Sequence, residues 1–206
     1  MSKTIDRLLT DHRRLRNVLG ALDQKVQELG SEYLEVDTDH LFCLADYLTN
    51  YPDHVHHPLE DVVFDRLLKQ DLSEAQREIV EHNRSQHENL TAATKRLSQQ
   101  IDRMSGGLNV DALQREVDDY IDRQRKHMAY EEREVFPLAL SCLSSTTWDE
   151  LDASYGESSD PLFDEADRRY GTIYRFLVVD PEEREPSRSA EPLLRYLGAT
   201  GIPWVP

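Results

Sequence analysis

Apolar residues recur at three- and four-residue spacing through most of the first 143 positions, and glycine and proline are scarce before residue 155. This spacing is typical of amphipathic helices, because residues three and four apart lie on the same helical face. The pattern predicts four long helices, over about residues 4–29, 39–69, 73–104 and 110–143. The segments GSEY and SGGLN interrupt the pattern, and Pro52 and Pro58 should bend the second helix.

The connections between these helices are short, and short connections favour antiparallel neighbours. We therefore predict an all-α fold, an up-down-up-down four-helix bundle formed by residues 1–145. Residues 146–206 are predicted to form a C-terminal extension of short helices and an irregular tail rich in proline and charge. We expect the tail to dock on the bundle or, in a homodimer, on a second copy, because it carries apolar residues that are costly to expose: Leu193, Leu194, Tyr196, Leu197, Ile202, Trp204 and Val205.

The charge of the chain excludes several classes of partner. Its 40 acidic and 24 basic residues give a formal net charge of −16, which opposes attraction to nucleic acid or to anionic membranes. No apolar run approaches the roughly 20 residues that a membrane helix needs, and the N-terminus lacks a signal peptide's apolar segment. We therefore expect a cytoplasmic protein, in which Cys43 and Cys142 remain thiols.

An internal repeat singles out a set of histidines. DHRRLRNVLGAL (residues 11–22) aligns with QHENLTAATKRL (86–97), and HHPLEDVVF (56–64) resembles HMAYEEREVF (127–136). In each half, a helix with a single histidine precedes a helix with a histidine and a glutamate four residues apart. The chain is therefore interpreted as two similar helix pairs packed face to face.

Helical projection at about 100° per residue indicates which polar side chains face the core. On the first helix His12 lies within the apolar stripe, and on the fourth His127 and Glu131 lie near it. On the third helix His82 and His87 flank the apolar face on opposite sides. The repeat favours His87, and His82 stays a candidate for an additional ligand.

On the second helix the projection separates two neighbouring histidine–carboxylate pairs. His56 and Glu60 are predicted to face the core, whereas His57 and Asp61 project nearly opposite. We therefore expect His54, His57 and Asp61 mainly to face solvent. Because Pro58 disturbs the regular angle, whether His57 is also a ligand stays open, as it does for His82.

These residues together predict a metal site. A single core histidine is more often a hydrogen-bonded structural residue than a ligand, and a structural bundle of this kind is the simplest alternative. The selected set, however, would bury two carboxylates without lysine or arginine to neutralise them, at a cost of several kcal/mol each. A pair of divalent cations would offset that cost, and imidazole with carboxylate suits iron, manganese or zinc.

At these motifs the chain resembles the hemerythrin-like family, the HHE cation-binding domains. The likeness rests on DHRRL, HHPLED, the third-helix histidine and HMAYEEREVFP, in order across about residues 4–143. It implies a four-helix bundle that holds two iron ions in an oxo- or hydroxo-bridged non-haem centre. By position it implies terminal imidazole ligands at His12, His56, His87 and His127 and bridging carboxylates at Glu60 and Glu131.

The pattern differs from that of oxygen-carrying hemerythrins, which use five histidines and have the fourth-helix acid five residues after its histidine. Here the acid follows by four, and the chain is more similar to the branch associated with iron–sulfur-centre repair, nitric oxide response and iron or oxygen sensing. Two functions are therefore expected. One is binding of, or reaction with, dioxygen, nitric oxide or peroxide, and the other is an iron or redox sensor or iron-handling module without turnover.

Overall fold

The computed structural model describes residues 2–30, 38–103, 109–155, 160–164 and 170–178. Every regular element in these ranges is helical, which confirms the predicted all-α class. The α-helices are α1 (Lys3–Leu29), α2 (Thr38–Tyr51), α3 (His57–Leu67), α4 (Glu74–Asp102), α5 (Val110–Tyr130), α6 (Phe136–Cys142), α7 (Ser145–Tyr155) and α8 (Gly171–Val178).

The first six helices form the predicted bundle of four long units. The units are α1, α2 with α3, α4, and α5 with α6. Helix α1 contacts α2 and α5, and α4 contacts the same two helices, so that the units follow one another around the bundle in chain order. This is the neighbour relation of an up-down-up-down bundle.

Two of the four units are interrupted by a π-helical turn. The first turn spans Pro52–His56 and joins α2 to α3, and the second spans Glu131–Val135 and joins α5 to α6. The irregularity expected near Pro52 is therefore present. A π-turn accommodates one extra residue per turn and so changes the direction of the side chains that follow it. The first turn ends at the histidine of its His-x-x-x-Glu motif, and the second begins at the glutamate of its motif.

The apolar core consists of two clusters separated by a polar layer. One cluster contains Leu15, Leu19 and Tyr51, and the other contains Leu8 and Val63. Along α1, His12 lies between the residues of the two clusters. The fold thus places a set of buried polar side chains between two apolar clusters that shield it from water.

The C-terminal helices lie against opposite parts of the bundle. In α7, Trp148 and Leu151 pack into the cluster that contains Leu8. Tyr170 and Ile173, at the start of α8, pack into the other cluster. The tail residues 193–205, for which docking is predicted, lie outside the described residues. In the described part of the chain no helix has the length and apolar character needed to cross a bilayer.

Candidate metal centre

All six side chains in the predicted ligand set lie in the polar layer of the bundle. Each is at least nine-tenths buried, although they come from four different helical units. Their exposed fractions are 0% for His12, 1% for His56, 0% for Glu60, 7% for His87, 3% for His127 and 0% for Glu131.

Glu60 stands between the histidines of different helices. Its Oε1 atom lies 3.1 Å from the Nε2 atom of His56 and 3.4 Å from that of His12. Its Oε2 atom lies 3.4 Å from the Nε2 atom of His87. The two oxygens of Glu60 therefore face different groups of imidazoles, an arrangement suited to a carboxylate between two cations.

Glu131 occupies a similar position on the opposite helix. Its Oε2 atom lies 3.3 Å from the Nε2 atom of His12, and its Oε1 atom lies 3.2 Å from that of His127. The buried amide of Asn83 donates a hydrogen bond to Oε1 of Glu131. Glu131, like Glu60, contacts histidines from both halves of the repeat.

The structure contradicts the prediction that His57 faces solvent. Its side chain is 5% exposed and its ring stacks on that of His87, with centroids 4.4 Å apart. The projection assumed one regular α-helix, but the π-helical turn ends at His56 and shifts the helical phase. As a result, the side chains of both His56 and His57 point into the bundle, and both are buried. His54 is exposed as predicted, and Asp61 is partly buried.

The potential ligand atoms fall into two groups that share Glu60. In one group the atoms of His57, Glu60, His87 and His127 lie within 4.8 Å of one another. In the other, the atoms of His12, His56 and Glu60 do so. The cluster thus contains five imidazoles rather than the four expected, three in one half and two in the other.

Each imidazole of the cluster directs its Nδ1 atom towards an oxygen outside the cluster. Such an outer partner fixes the tautomer and leaves Nε2 free for a metal ion. His12 and His127 donate hydrogen bonds of 2.9 Å to Glu132 and Gln86. The other three Nδ1 atoms lie 3.3 to 3.4 Å from carboxylate oxygens, His56 from Asp11, His57 from Asp53 and His87 from Asp61.

The cluster passes a chemical test for metal binding. The Nε2 atoms of His56, His87 and His127 and one oxygen each of Glu60 and Glu131 are buried without a hydrogen-bond partner. A buried polar atom left in this state costs about 1–3 kcal/mol. Cations coordinated by these nitrogens and oxygens would remove that cost, and the donor set is one that transition metals accept.

The charges of the cluster perturb its imidazoles unequally. Burial lowers the pKa of His12, His56, His87 and His127, but the adjacent carboxylates more than compensate at the first three of these. The pKa of His12 is raised well above its usual 6.5, that of His56 to about 9 and that of His87 to about 11. At His127 burial prevails and lowers the pKa to about 4. Metal ions must therefore displace protons from three of these ligands.

The two buried carboxylates remain ionised. Burial opposes their ionisation, and each repels the other, but the neighbouring histidines prevail. They hold the pKa of Glu60 well below its usual 4.5 and lower that of Glu131 to about 2. The cluster therefore presents two carboxylate groups to a cation at neutral pH.

Sequence reasoning missed the outer partners, although the repeat contains a signal for most of them. Asp11 and Gln86 each precede the single histidine of their half, and Asp61 and Glu132 each follow its glutamate. Asn83 has no such signal, because Leu8 is at the aligned position in the first half. The candidate His82 is exposed and lies outside the cluster, with a hydrogen bond to the amide of Gln86.

The profile of the Hemerythrin HHE cation binding domain matches residues 3–139, which cover all six helices of the bundle except the last residues of α6. No curated protein and no solved structure matches the chain significantly. The matched span contains every histidine and glutamate of the buried cluster. The chain belongs to the hemerythrin HHE cation-binding domain family.

Proposed function

We propose that the protein holds a non-haem di-iron centre that binds, or reacts with, a small oxidant such as dioxygen, nitric oxide or peroxide. The observation that carries this proposal is the unequal division of the five imidazoles. Three belong to one half of the cluster and two to the other, while Glu60 belongs to both. The half that contains His12 and His56 therefore has one protein ligand fewer, and a catalytic or ligand-binding metal requires such an open position.

The potential ligands can be assigned to two metal ions. His12 and His56 would hold one ion, and His57, His87 and His127 the other, with Glu60 and Glu131 shared. Bound iron would supply the redox chemistry and the open coordination position. The outer oxygens keep each imidazole in the tautomer that offers Nε2, so that the ligands need little rearrangement.

Burial of the two-histidine half favours a very small ligand. His12 and His56 are 0% and 1% exposed, and the ring of Phe136 stacks on His12 with centroids 5.5 Å apart. A diatomic molecule or peroxide can reach such a place through small fluctuations, whereas a larger organic substrate cannot. These contacts support ligand binding by the metal rather than processing of a bulky substrate.

A specific chain of contacts favours the second candidate, a sensor without turnover. Nδ1 of His56 lies 3.4 Å from Asp11, whose carboxylate accepts a 2.9 Å hydrogen bond from Arg7. The guanidinium of Arg7 lies 3.9 Å from the carboxylate of Asp164, in the segment after α7. A change at the two-histidine half could thereby alter the C-terminal segment. In the sensor, hydrogen-exchange protection of residues 160–178 would change with metal occupancy or oxidation state.

The test of the main proposal is metal content combined with ligand binding. Protein purified without chelator should contain about two irons per chain, and the reduced protein should change its absorption spectrum on addition of nitric oxide. Full loading with a redox-inactive metal would keep the ligand assignment and refute the oxidant chemistry. Absence of metal after reconstitution with ferrous iron would refute both.

A further inference from the structure

Two pockets of opposite charge reach the histidines of the cluster from either side of α4. The basic pocket, of about 650 Å³, is lined by Gln86, Arg123, Lys126, His127 and Arg133 among others, and none of the described residues that line it is a carboxylate. The acidic pocket, of about 430 Å³, is lined by Asp53, His57, Asp61, His87, Glu88 and Lys95 among others. A cation approaching the three-histidine half is repelled at the first pocket and attracted at the second.

Two cluster histidines, His57 and His87, form the inner wall of the acidic pocket. His57 and His87 are 5% and 7% exposed, and their Nδ1 atoms have no hydrogen-bond partner. By contrast, His12 and His127 donate hydrogen bonds of 2.9 Å from Nδ1. The rings of His57 and His87 are instead held by stacking on each other, with centroids 4.4 Å apart, and by the carboxylates beside their Nδ1 atoms.

Two carboxylates line the same pocket directly beside these rings. Asp53 Oδ1 lies 3.4 Å from Nδ1 of His57, and Asp61 Oδ1 lies 3.3 Å from Nδ1 of His87. Asp61 is partly exposed, with 37% of its side chain accessible, so it is in contact with both water and the buried histidine. Asp53 is more buried, with 9% of its side chain exposed, and it accepts a hydrogen bond from Thr91, while Arg84 lies 3.5 Å from Asp61. Carboxylate oxygens are ligands that a hydrated divalent cation accepts readily.

We propose that divalent cations enter and leave the centre through the acidic pocket, with Asp53 and Asp61 as transient ligands between water and the paired rings of His57 and His87. This inference rests on the proposed metal centre. The carboxylates would replace part of the hydration shell before the ion passes the paired rings to reach the Nε2 atoms. Glu88 and Lys95 lie at the exposed rim, where their charges set the local cation concentration.

The test is the rate at which metal-free protein takes up Co²⁺, followed by the visible absorption of the bound ion in a stopped-flow instrument. The variant Asp53→Asn/Asp61→Asn should take up Co²⁺ roughly tenfold more slowly at low ionic strength. A factor of about ten is the lower end of the range for electrostatic steering. The matched control is Asp119→Asn/Asp122→Asn, which removes the same charge from exposed positions on α5. This control should load within about twofold of the wild-type rate.

Release of Co²⁺ complements the loading rate. Because Asp53 and Asp61 also lie beside Nδ1 of His57 and His87, their loss should weaken the equilibrium affinity for Co²⁺ as well. Loss of the route itself is therefore measured as slower loading, and release to a chelator reports the change in affinity. A variant that loads at the wild-type rate but binds more weakly would overturn the proposal, because Asp53 and Asp61 would then only orient their histidines. Wild-type protein that binds no Co²⁺ would overturn the metal centre itself, a different and recognisable outcome.

A second variant, at the exposed rim of the acidic pocket, tests the route even if the double variant fails to fold. Lys95→Glu changes an exposed side chain that has no contact with the ligand atoms, and it makes the acidic pocket more negative. Loading should accelerate several-fold at low ionic strength and return to the wild-type rate at about 1 M salt, where screening is nearly complete. An unchanged rate at low salt would overturn the route.

Discussion

His57 offers the sharpest test of the centre, because its position was not expected from the sequence. The change is His57→Leu, which fills a similar volume but offers no ligand atom. The matched control is His54→Leu, the same change three residues earlier, at an exposed position of the π-helical turn that precedes His57. If His57 holds a metal ion, only the first variant should lose metal.

The magnitude follows from the position of His57 in the three-histidine half. Loss of an outer partner of a metal ligand lowers affinity roughly 10- to 100-fold, so loss of the ligand itself should cost roughly 100-fold or more. That factor corresponds to about 2.7 kcal/mol. Bound metal raises the unfolding free energy of the wild-type protein above that of the metal-free protein. At a metal concentration that saturates the wild type, this increase should be smaller in His57→Leu by the same amount.

Two measurements on the same samples decide the result. Metal content after gel filtration should fall from about two ions per chain to about one in His57→Leu and stay at two in His54→Leu. Urea unfolding with and without metal should show the loss of about 2.7 kcal/mol in the first variant alone. A His57→Leu protein that keeps two ions and the full stability increment would show that His57 is a packing residue beside His87.

Three further predictions concern the fold and the centre. Asp152 accepts hydrogen bonds from the N–H groups of Lys3 and Thr4, so Asp152→Ala should lower the unfolding free energy by about 1 kcal/mol at pH 6. Partial burial would raise the pKa of Asp152, but these bonds lower it from 3.8 to about 2; the difference from wild type in urea unfolding should therefore persist above pH 4 and vanish as the pH falls through about 2. Leu8→Ala should cost about 2–5 kcal/mol because Leu8 is 0% exposed, whereas calorimetry should show less than about 0.5 kcal/mol for the exposed Leu140→Ala. Chelation should lower the unfolding free energy measured at a metal concentration of 100 times Kd by about 2.7 kcal/mol, and an unchanged value would contradict a site specific to the native state.

The helices were predictable because their signals are local and repeated. Each predicted helix matches a helical unit of the bundle, and Ser73 forms the N-cap of α4 with Gln76 completing a capping box. The spacing of apolar residues averages over many positions, so that single irregularities do not obscure it. The same averaging conceals the π-helical form of the two turns, although Pro52 and Pro58 indicated an irregularity at the first.

The candidate site was predictable only as far as helical geometry is regular. His12 lies on an uninterrupted helix, and its inward direction follows from the 100° rule. His57 follows a turn that breaks the rule, so its direction depends on a backbone feature that periodicity does not report. Contacts between helices, such as that of Asn83 with Glu131, depend on packing and cannot be read from one helix alone.

The repeat and the structure together explain how an approximately symmetric bundle acquires an asymmetric centre. His12 aligns with His87, and His56 with His127, so two equivalent halves would each contain two imidazoles. At the next position the halves differ, because His57 aligns with Met128, which is buried in an apolar cluster. His57 belongs to the first half of the sequence, but its ligand atom lies with those of His87 and His127. The three imidazoles on one side of the cluster and two on the other, on which the proposed ligand binding rests, therefore arise from this single position.

The same position also connects the centre to its proposed metal route. His57 lines the acidic pocket, and Asp53, the residue beside its Nδ1 atom, aligns with Gln124 in the other half. Gln124 is buried and donates to the hydroxyl of Tyr120, so it offers no carboxylate to a passing cation. Compared with the second half of the sequence repeat, the first half thus has one more imidazole, His57, and one more carboxylate, Asp53. An open position at the two-histidine half and cation access at the three-histidine half are then two consequences of one local departure from the repeat.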